Sequence, residues 1–366
     1  MRRTAVSRLR IAMRITLRTQ VRIGAVLFCI AAMAVMLRFA KDKAIIIEGL
    51  AQDQVAGVTL QSTQEDSTTG ELRFTESDET ADYICIPLEN NIAAENVTIE
   101  NHYMDRQVWI SIKGASEDYY TEAALSGNLA YITRGIYEIR EEGVVLKLST
   151  RELYECHSTL EEKNLYIEMI RPREVYDKII VIDAACGGSD KGISANDIME
   201  KDIVLDIVKQ AKLLLDNTDI KVYYTRMEDM EVTAESRVAL ANEVQADMLI
   251  SIRLNSGEDE ELYGIEAIYN ANYYLPGFNS VSLADRVERS VVTRINGRGN
   301  GLYEAADSDI LVQEAKVPVA VLQVGYASNP KEAELLNREE YRALIAAGIV
   351  DAVTKAYEEG SIAAIK

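Results

Sequence analysis

The chain has 366 residues, 48% hydrophobic and 27% charged, with a formal charge of −20. That leaves room for about two domains with a real core and excludes wholesale disorder. The charge is uneven: residues 1–43 hold ten Lys or Arg and one acid, so the rest carries −29 and lacks the basic footprint that nucleic acid needs.

Arg2, Arg3, Arg8, Arg10, Arg14, Arg18 and Arg22 precede an apolar run over residues 23–37, and Arg38 and Lys41 follow it. A span wants about 20 apolar residues, but flanking arginines snorkel to the interfaces. Residues 1–22 therefore read as a basic cytoplasmic tail and 23–40 as a transmembrane anchor, with a secretory signal as the alternative. Arg38 sits badly beside a cut after Ala40, which favours the anchor. In both readings the chain beyond Lys43 is exported, and the expected location is the cell membrane, single-pass, N-terminus inside.

Residues 44–81 read as a linker, rich in Ser, Thr, Asp, Glu and Gly from Glu65 onward. From Asp82 short β-branched or alternating runs follow one another. They include Tyr83-Ile84-Cys85-Ile86, Val108-Trp109-Ile110-Ser111-Ile112, Val144-Val145-Leu146-Lys147-Leu148 and Leu165-Tyr166-Ile167-Glu168-Met169. Their spacing predicts a small all-β sandwich over 82–172. Cys85 and Cys156 fall in predicted strands and are candidates to pair, with buried thiols as the default. His102 and His157 are the chain's only histidines and have no ligand set at metal spacing.

Arg171-Pro172-Arg173-Glu174 breaks the β pattern. Beyond it strands alternate with helices, and residues 176–360 read as an α/β domain: a mostly parallel sheet with helices on both faces. The opening strand Ile179-Ile180-Val181-Ile182 ends in Asp183-Ala184-Ala185-Cys186-Gly187-Gly188. Helices are expected near 200–216, 233–245, 282–295 and 340–357. Strands are expected at 221–224, 248–252, 265–269 and 319–324. The C-terminal ends of such strands are where ligands bind, and Cys186, Arg253 and Gln323 all fall there.

Several blocks carry a resemblance in a fixed order. They are Glu200-Lys201-Asp202, Thr225-Arg226 with Asp229, Ser236-Arg237-Val238-Ala239-Leu240-Ala241-Asn242, Ala246-Asp247, Ser251-Ile252 with Asn255, Gly264, and Gly325-Tyr326 with Ser328-Asn329-Pro330. Through them the C-terminal half resembles the zinc-dependent N-acetylmuramoyl-L-alanine amidases of the amidase-3 type, which cut the amide joining muramic acid to the peptidoglycan stem. The β region ahead is similar, by domain order, to the cell-wall-binding sandwich modules of such amidases. The resemblance implies one zinc held by His, Glu and His, with a second Glu as general base. Those positions fall on Cys186, Glu200, Arg253 and Gln323, so only Glu200 matches.

Cys186 is the mildest change, since a thiolate ligates zinc. Arg253 offers no lone pair and repels a dication. Gln323 has the shape of Glu but accepts no proton. Asp183 and Asp190 are near in sequence but do not remove Arg253. No cofactor is expected, although the family uses zinc. In its place a crevice pair is expected, with Arg253 at the metal position and bidentate to Glu200, and Gln323 nearby. Asp197-Ile198-Met199-Glu200 also reads as a capping box. Arg253 and the N–H groups of Gly187-Gly188 are candidate donors to phosphate-like or carboxylate groups of a peptide stem.

The expected function is that of a membrane-anchored, catalytically inactive amidase relative that binds peptidoglycan or a stem peptide or regulates its turnover. The alternatives are a working amidase with atypical ligands and an extracytoplasmic scaffold for an unknown protein partner.

Overall fold

A computed structural model of the chain describes residues 44–45, 69–272 and 276–359. The expected tail and anchor lie outside them; among the described residues no helix is long and apolar enough to cross a membrane.

The first body is a pair of β-sheets closed on one apolar core. One sheet runs Ala44–Ile45, Glu155–Glu161, Asn164–Ile170, Tyr83–Pro87, Ala124–Gly127, Arg73–Phe74 in spatial order. The other runs Thr69–Glu71, Ile132–Arg140, Gly143–Thr150, Gln107–Lys113, Val97–His102. Alternation sets the faces: Val108, Ile110 and Ile112 point inward with Ile84, Ile86, Leu146, Leu148 and Ile167, while Trp109 and Ser111 face out. Thr69–Glu71 and Arg73–Phe74, expected as linker, are edge strands here because Leu72 between them buries its side chain in this core. Cys85 and Cys156 are free thiols. The strand Asn164–Ile170 lies between theirs, Cys85 opposite Tyr166 and Cys156 opposite Met169, so they leave on opposite faces.

The second body is built on β1 (Ile179–Ala184), whose six residues are all buried. The further strands are β2 (Lys221–Tyr224), β3 (Met248–Asn255), β4 (Ile265–Tyr269), β5 (Gly299–Glu304) and β6 (Val319–Tyr326), in the spatial order β2-β1-β3-β6-β4-β5. The pairs β1–β2, β1–β3, β3–β6 and β4–β5 are parallel, but β4 runs antiparallel to β6. The sheet is therefore mixed. The strand β5, rich in Gly and Asn, carries no apolar alternation and was not expected from the sequence.

The helices are α1 (Glu200–Leu215), α2 (Ala234–Glu243), α3 (Ser280–Ile295), α4 (Ile310–Gln313), α5 (Pro330–Leu336) and α6 (Glu339–Glu358). Even-numbered residues of β1 and β3, such as Ile180, Ile182, Ile250 and Ile252, pack with α1, α3 and α6. Odd-numbered ones, such as Val181 and Leu249, pack with α2 and α4. Leu153, Tyr103 and Met104 of the sandwich join this second face, so the first body covers what helices alone do not.

The junction is polar at its centre. Glu155, 1% exposed, accepts from Tyr103 Oη at 3.2 Å and from Tyr223 Oη, and pairs with Lys221 Nζ at 3.0 Å. Arg106 pairs with Glu243 at 2.7 Å, and Glu243 also accepts the Leu153 N–H at 2.6 Å. A buried carboxylate needs such a full set of partners.

Candidate active site

The chain leaves β1 into a turn fixed from below by two arginines. Arg226, 2% exposed, donates from Nε to Ala184 O at 2.9 Å and from Nη2 to Ala185 O at 2.8 Å and Lys201 O at 2.9 Å. Arg237 donates to Ala184 O and, at 2.7 Å, to Cys186 O. Asp183 balances them. It is fully buried, pairs with Arg237, and accepts from Thr225 Oγ1 and Ser251 Oγ, each at 2.6 Å. Burial and the neighbouring Arg237 charge pull the Arg226 guanidinium below its ordinary value. Asp183 is thus a structural anchor with no oxygen left for a metal.

Cys186, Gly187 and Gly188 all take positive φ, at 59°, 128° and 59°. A methyl group at Gly187 would lie 2.2 Å from Met230 O, so only glycine fits there. The Gly187 N–H donates to Asp190 O at 2.8 Å and the Gly188 N–H to Asp229 Oδ1 at 2.7 Å. Lys201 Nζ holds Asp229 in place at 2.6 Å. The Gly-Gly turn therefore offers no free donors to an anion, contrary to the expectation from its sequence.

Glu200 opens α1 but is not part of a capping box. Asn196 and Asp197 form a tight turn with φ of 48° and 62° between the short strands Ser194–Ala195 and Ile198–Met199, which draws Asp197 away from the helix. Met199 is the N-cap and caps without a side-chain bond. The buried Glu200 carboxylate instead accepts the N–H of Ile193 at 2.8 Å and of Leu254 at 3.0 Å, one on each oxygen. Cys186 is next to it: a methyl group at Gly192 would lie 2.5 Å from Glu200 Oε2 and 2.6 Å from Cys186 Sγ. Gly192 thus packs against both side chains. Desolvation first, then the charges of Glu200 and Asp190, push the Cys186 thiol up to about 12.

The expected pair between Glu200 and Arg253 does not form. Arg253 Nη1 lies 3.0 Å from Oδ2 of Asp309, the N-cap of α4. Arg253 shares a sheet face with Ser251 and Leu249, the face covered by α2 and α4, while Glu200 begins α1 on the other. Gln323 is the register partner of Arg253 on β6, and Glu266 is the partner of Gln323 on β4. Asn255 Nδ2 donates to Gln323 Oε1 at 3.2 Å and to Glu266 Oε2 at 3.0 Å. Glu266 also accepts from Tyr326 Oη and from Asn300 Nδ2 at 3.3 Å. A carboxylate therefore sits one strand over from the position of the family's base, but enclosed by three donors. Asp309 and Glu266 were missed in the sequence. Glu266 was legible as the first outward residue after Gly264; Asp309 was not, since α4 is only four residues long.

These residues do not fit zinc. Of three ligand positions, one holds a guanidinium turned toward Asp309, one a thiol, and one a carboxylate whose two oxygens take backbone N–H groups. Among the described residues, no group of three or more His, Cys, Asp or Glu side chains is disposed to hold a metal. Neither histidine is near: His157 is exposed on the sandwich, and His102 stacks on Trp109 with Nε2 3.7 Å from Glu100.

The family described as N-acetylmuramoyl-L-alanine amidase matches residues 180–355. The uncharacterised protein YqiI of Bacillus subtilis is 31% identical over 183 residues, which are 50% of this chain and 86% of YqiI. The germination-specific N-acetylmuramoyl-L-alanine amidase of the same organism is 28% identical over 198 residues, 50% of this chain and 81% of that protein. Among solved structures, an N-acetylmuramoyl-L-alanine amidase from Clostridium difficile 630 aligns at 30% identity and TM-score 0.47, over 50% of this chain and 97% of its own. The α/β half of the chain, with its pinned β1 turn and its row of signature blocks, belongs to the N-acetylmuramoyl-L-alanine amidase family.

Proposed function

We propose that this chain is an exported, membrane-anchored amidase-family protein of cell-wall metabolism that binds peptidoglycan and does not hydrolyse it. One observation carries the reading. The second-histidine position holds Arg253, whose guanidinium pairs with Asp309, and residues 158–366 contain no histidine to replace it. Without a Lewis acid there is nothing to lower the pKa of an attacking water, and Gln323 cannot take its proton. The basic segment before the apolar run at 23–37 supports the anchor.

A second reading has one observation in its favour. Cys186 and Glu200 remain adjacent, as two ligands of an atypical centre would. The test is incubation of the purified chain with intact peptidoglycan, followed by recovery of the sedimented polymer and assay of the supernatant for stem peptides. The proposal expects co-sedimentation with no released peptide. Release at the rate of a working amidase supports the second reading. Neither sedimentation nor release leaves the protein-scaffold alternative.

A further inference from the structure

At the ends of β3 and β6 two side chains present donors. Asp309 engages Arg253 through Nη1 alone, and among the described residues Nε and Nη2 meet no protein acceptor. The side chain is 30% exposed, and neither Nε nor Nη2 is a buried atom left without a partner, so this edge is open to water. Gln323 lies beside it on the next strand. The Asn255 Oδ1 accepts the Ser256 N–H at 2.8 Å, which fixes that amide with its nitrogen toward Gln323 Oε1. Gln323 must then turn Nε2 outward, where it too meets no acceptor among the described residues. The carboxylates nearby are engaged elsewhere: Glu200 with two backbone N–H groups, Glu266 with three side chains.

We propose that Arg253 and Gln323 form a carboxylate-binding subsite, with the Nε–Nη2 edge of Arg253 as a bidentate fork and Gln323 Nε2 as a third donor. Asp309 holds the fork in place from behind. The residue aligned with the second histidine thus presents donors to a ligand's negative charge where a histidine would present a lone pair. This deepens the cell-wall reading above and rests on it for the source of the ligand. Hydrolysis of the muramoyl amide yields a lactyl carboxylate on the sugar and an amine on the peptide, so two sources carry the required group: the denuded sugar and the acidic residues of the stem.

The test is calorimetric titration of the full chain with two probes, N-acetylmuramic acid against its methyl ester and N-acetyl-L-alanyl-D-glutamate against its dimethyl ester. One acid is expected to bind and its ester to bind weakly, and the acid that binds identifies the source. Arg253→Ala, folded by circular dichroism, is expected to lose about tenfold or more in affinity. Arg253→Lys keeps the charge but not the fork and is expected to fall between. The subsite is overturned if neither acid binds at millimolar concentration, if ester and acid bind alike, or if folded Arg253→Ala binds as tightly as wild type. Should Arg253→Ala not fold, the ester comparison and Gln323→Leu decide, with weaker acid binding expected for Gln323→Leu. Sedimentation with whole peptidoglycan separates the two claims. Sedimentation without probe binding defeats the subsite alone, and probe binding without sedimentation defeats the cell-wall reading alone.

Discussion

The guanidinium of Arg253 ends 3.0 Å from Asp309 and leaves the carboxylate of Glu200 to two backbone N–H groups. Two groups that share a metal in the resemblance are thus bonded independently, on opposite faces of the sheet. Asp309 is both the partner of Arg253 and the cap of α4, accepting the Val312 N–H at 3.4 Å. Asp309→Ala is expected to cost about 1 kcal/mol, mostly through the cap because the ion pair is partly exposed. A thermal melt that moves by about 2–4 °C agrees, and an unchanged melt contradicts the assignment.

Gly192 tests whether the space between Cys186 and Glu200 is filled. Its φ is 62°, and a methyl group there meets both side chains. Gly192→Ala is expected to destabilise by about 2–4 kcal/mol, combining left-handed strain with overpacking. Urea denaturation measures it. A neutral substitution would mean that the loop yields readily and that the site is open.

The thiol of Cys186 is raised by burial and by the Glu200 and Asp190 charges, to about 12. A raised folded-state value keeps the thiol neutral at physiological pH. Alkylation by iodoacetamide should therefore be far slower than for a free cysteine of pKa about 8.5, and should rise steadily with pH above that. The linkage has the same sign. Stability is fully present below the unfolded value and declines as pH climbs toward the folded one. Mass mapping of Cys186 after timed alkylation at pH 7.5 is the check, and rapid modification of the native chain contradicts the environment described.

Glu155 joins the two bodies. Glu155→Ala would leave the partly buried Lys221 beside Tyr103 and Tyr223 without its charge partner. A loss of about 3–5 kcal/mol is expected, as for other broken buried pairs. Limited proteolysis near residues 171–178 should accelerate in parallel. An unaltered unfolding midpoint would show that this contact does not hold the junction.

Much of the fold was legible because period and position agree. The run at Ile179–Ala184 reads as a buried strand, and α1 begins at Glu200, where the helix was expected. The signature blocks were legible as a family, and the structure shows that many of them are scaffold. Arg226 and Arg237 hold the β1 turn. Asn242 bonds the chain at Glu314 and Lys316, Asp247 receives the Ile179 N–H, and Asn329 caps α5. What the sequence concealed depends on direction. Which way Arg253 leaves β3 is set by the pleat, and its partner Asp309 is 56 positions away on a helix too short to predict. The Asn196-Asp197 turn mimics a capping box because the same residue types serve both. The edge strands Thr69–Glu71 and Arg73–Phe74 are too short to show alternation.

The proposed function requires that this amidase-family centre hold no zinc. Metal analysis of the purified full chain, after equilibration with excess zinc and removal of the unbound metal, addresses it directly. Zinc far below stoichiometric, unchanged in Cys186→Ser, is expected. About one zinc per chain, lost in Cys186→Ser or Glu200→Gln, would contradict it.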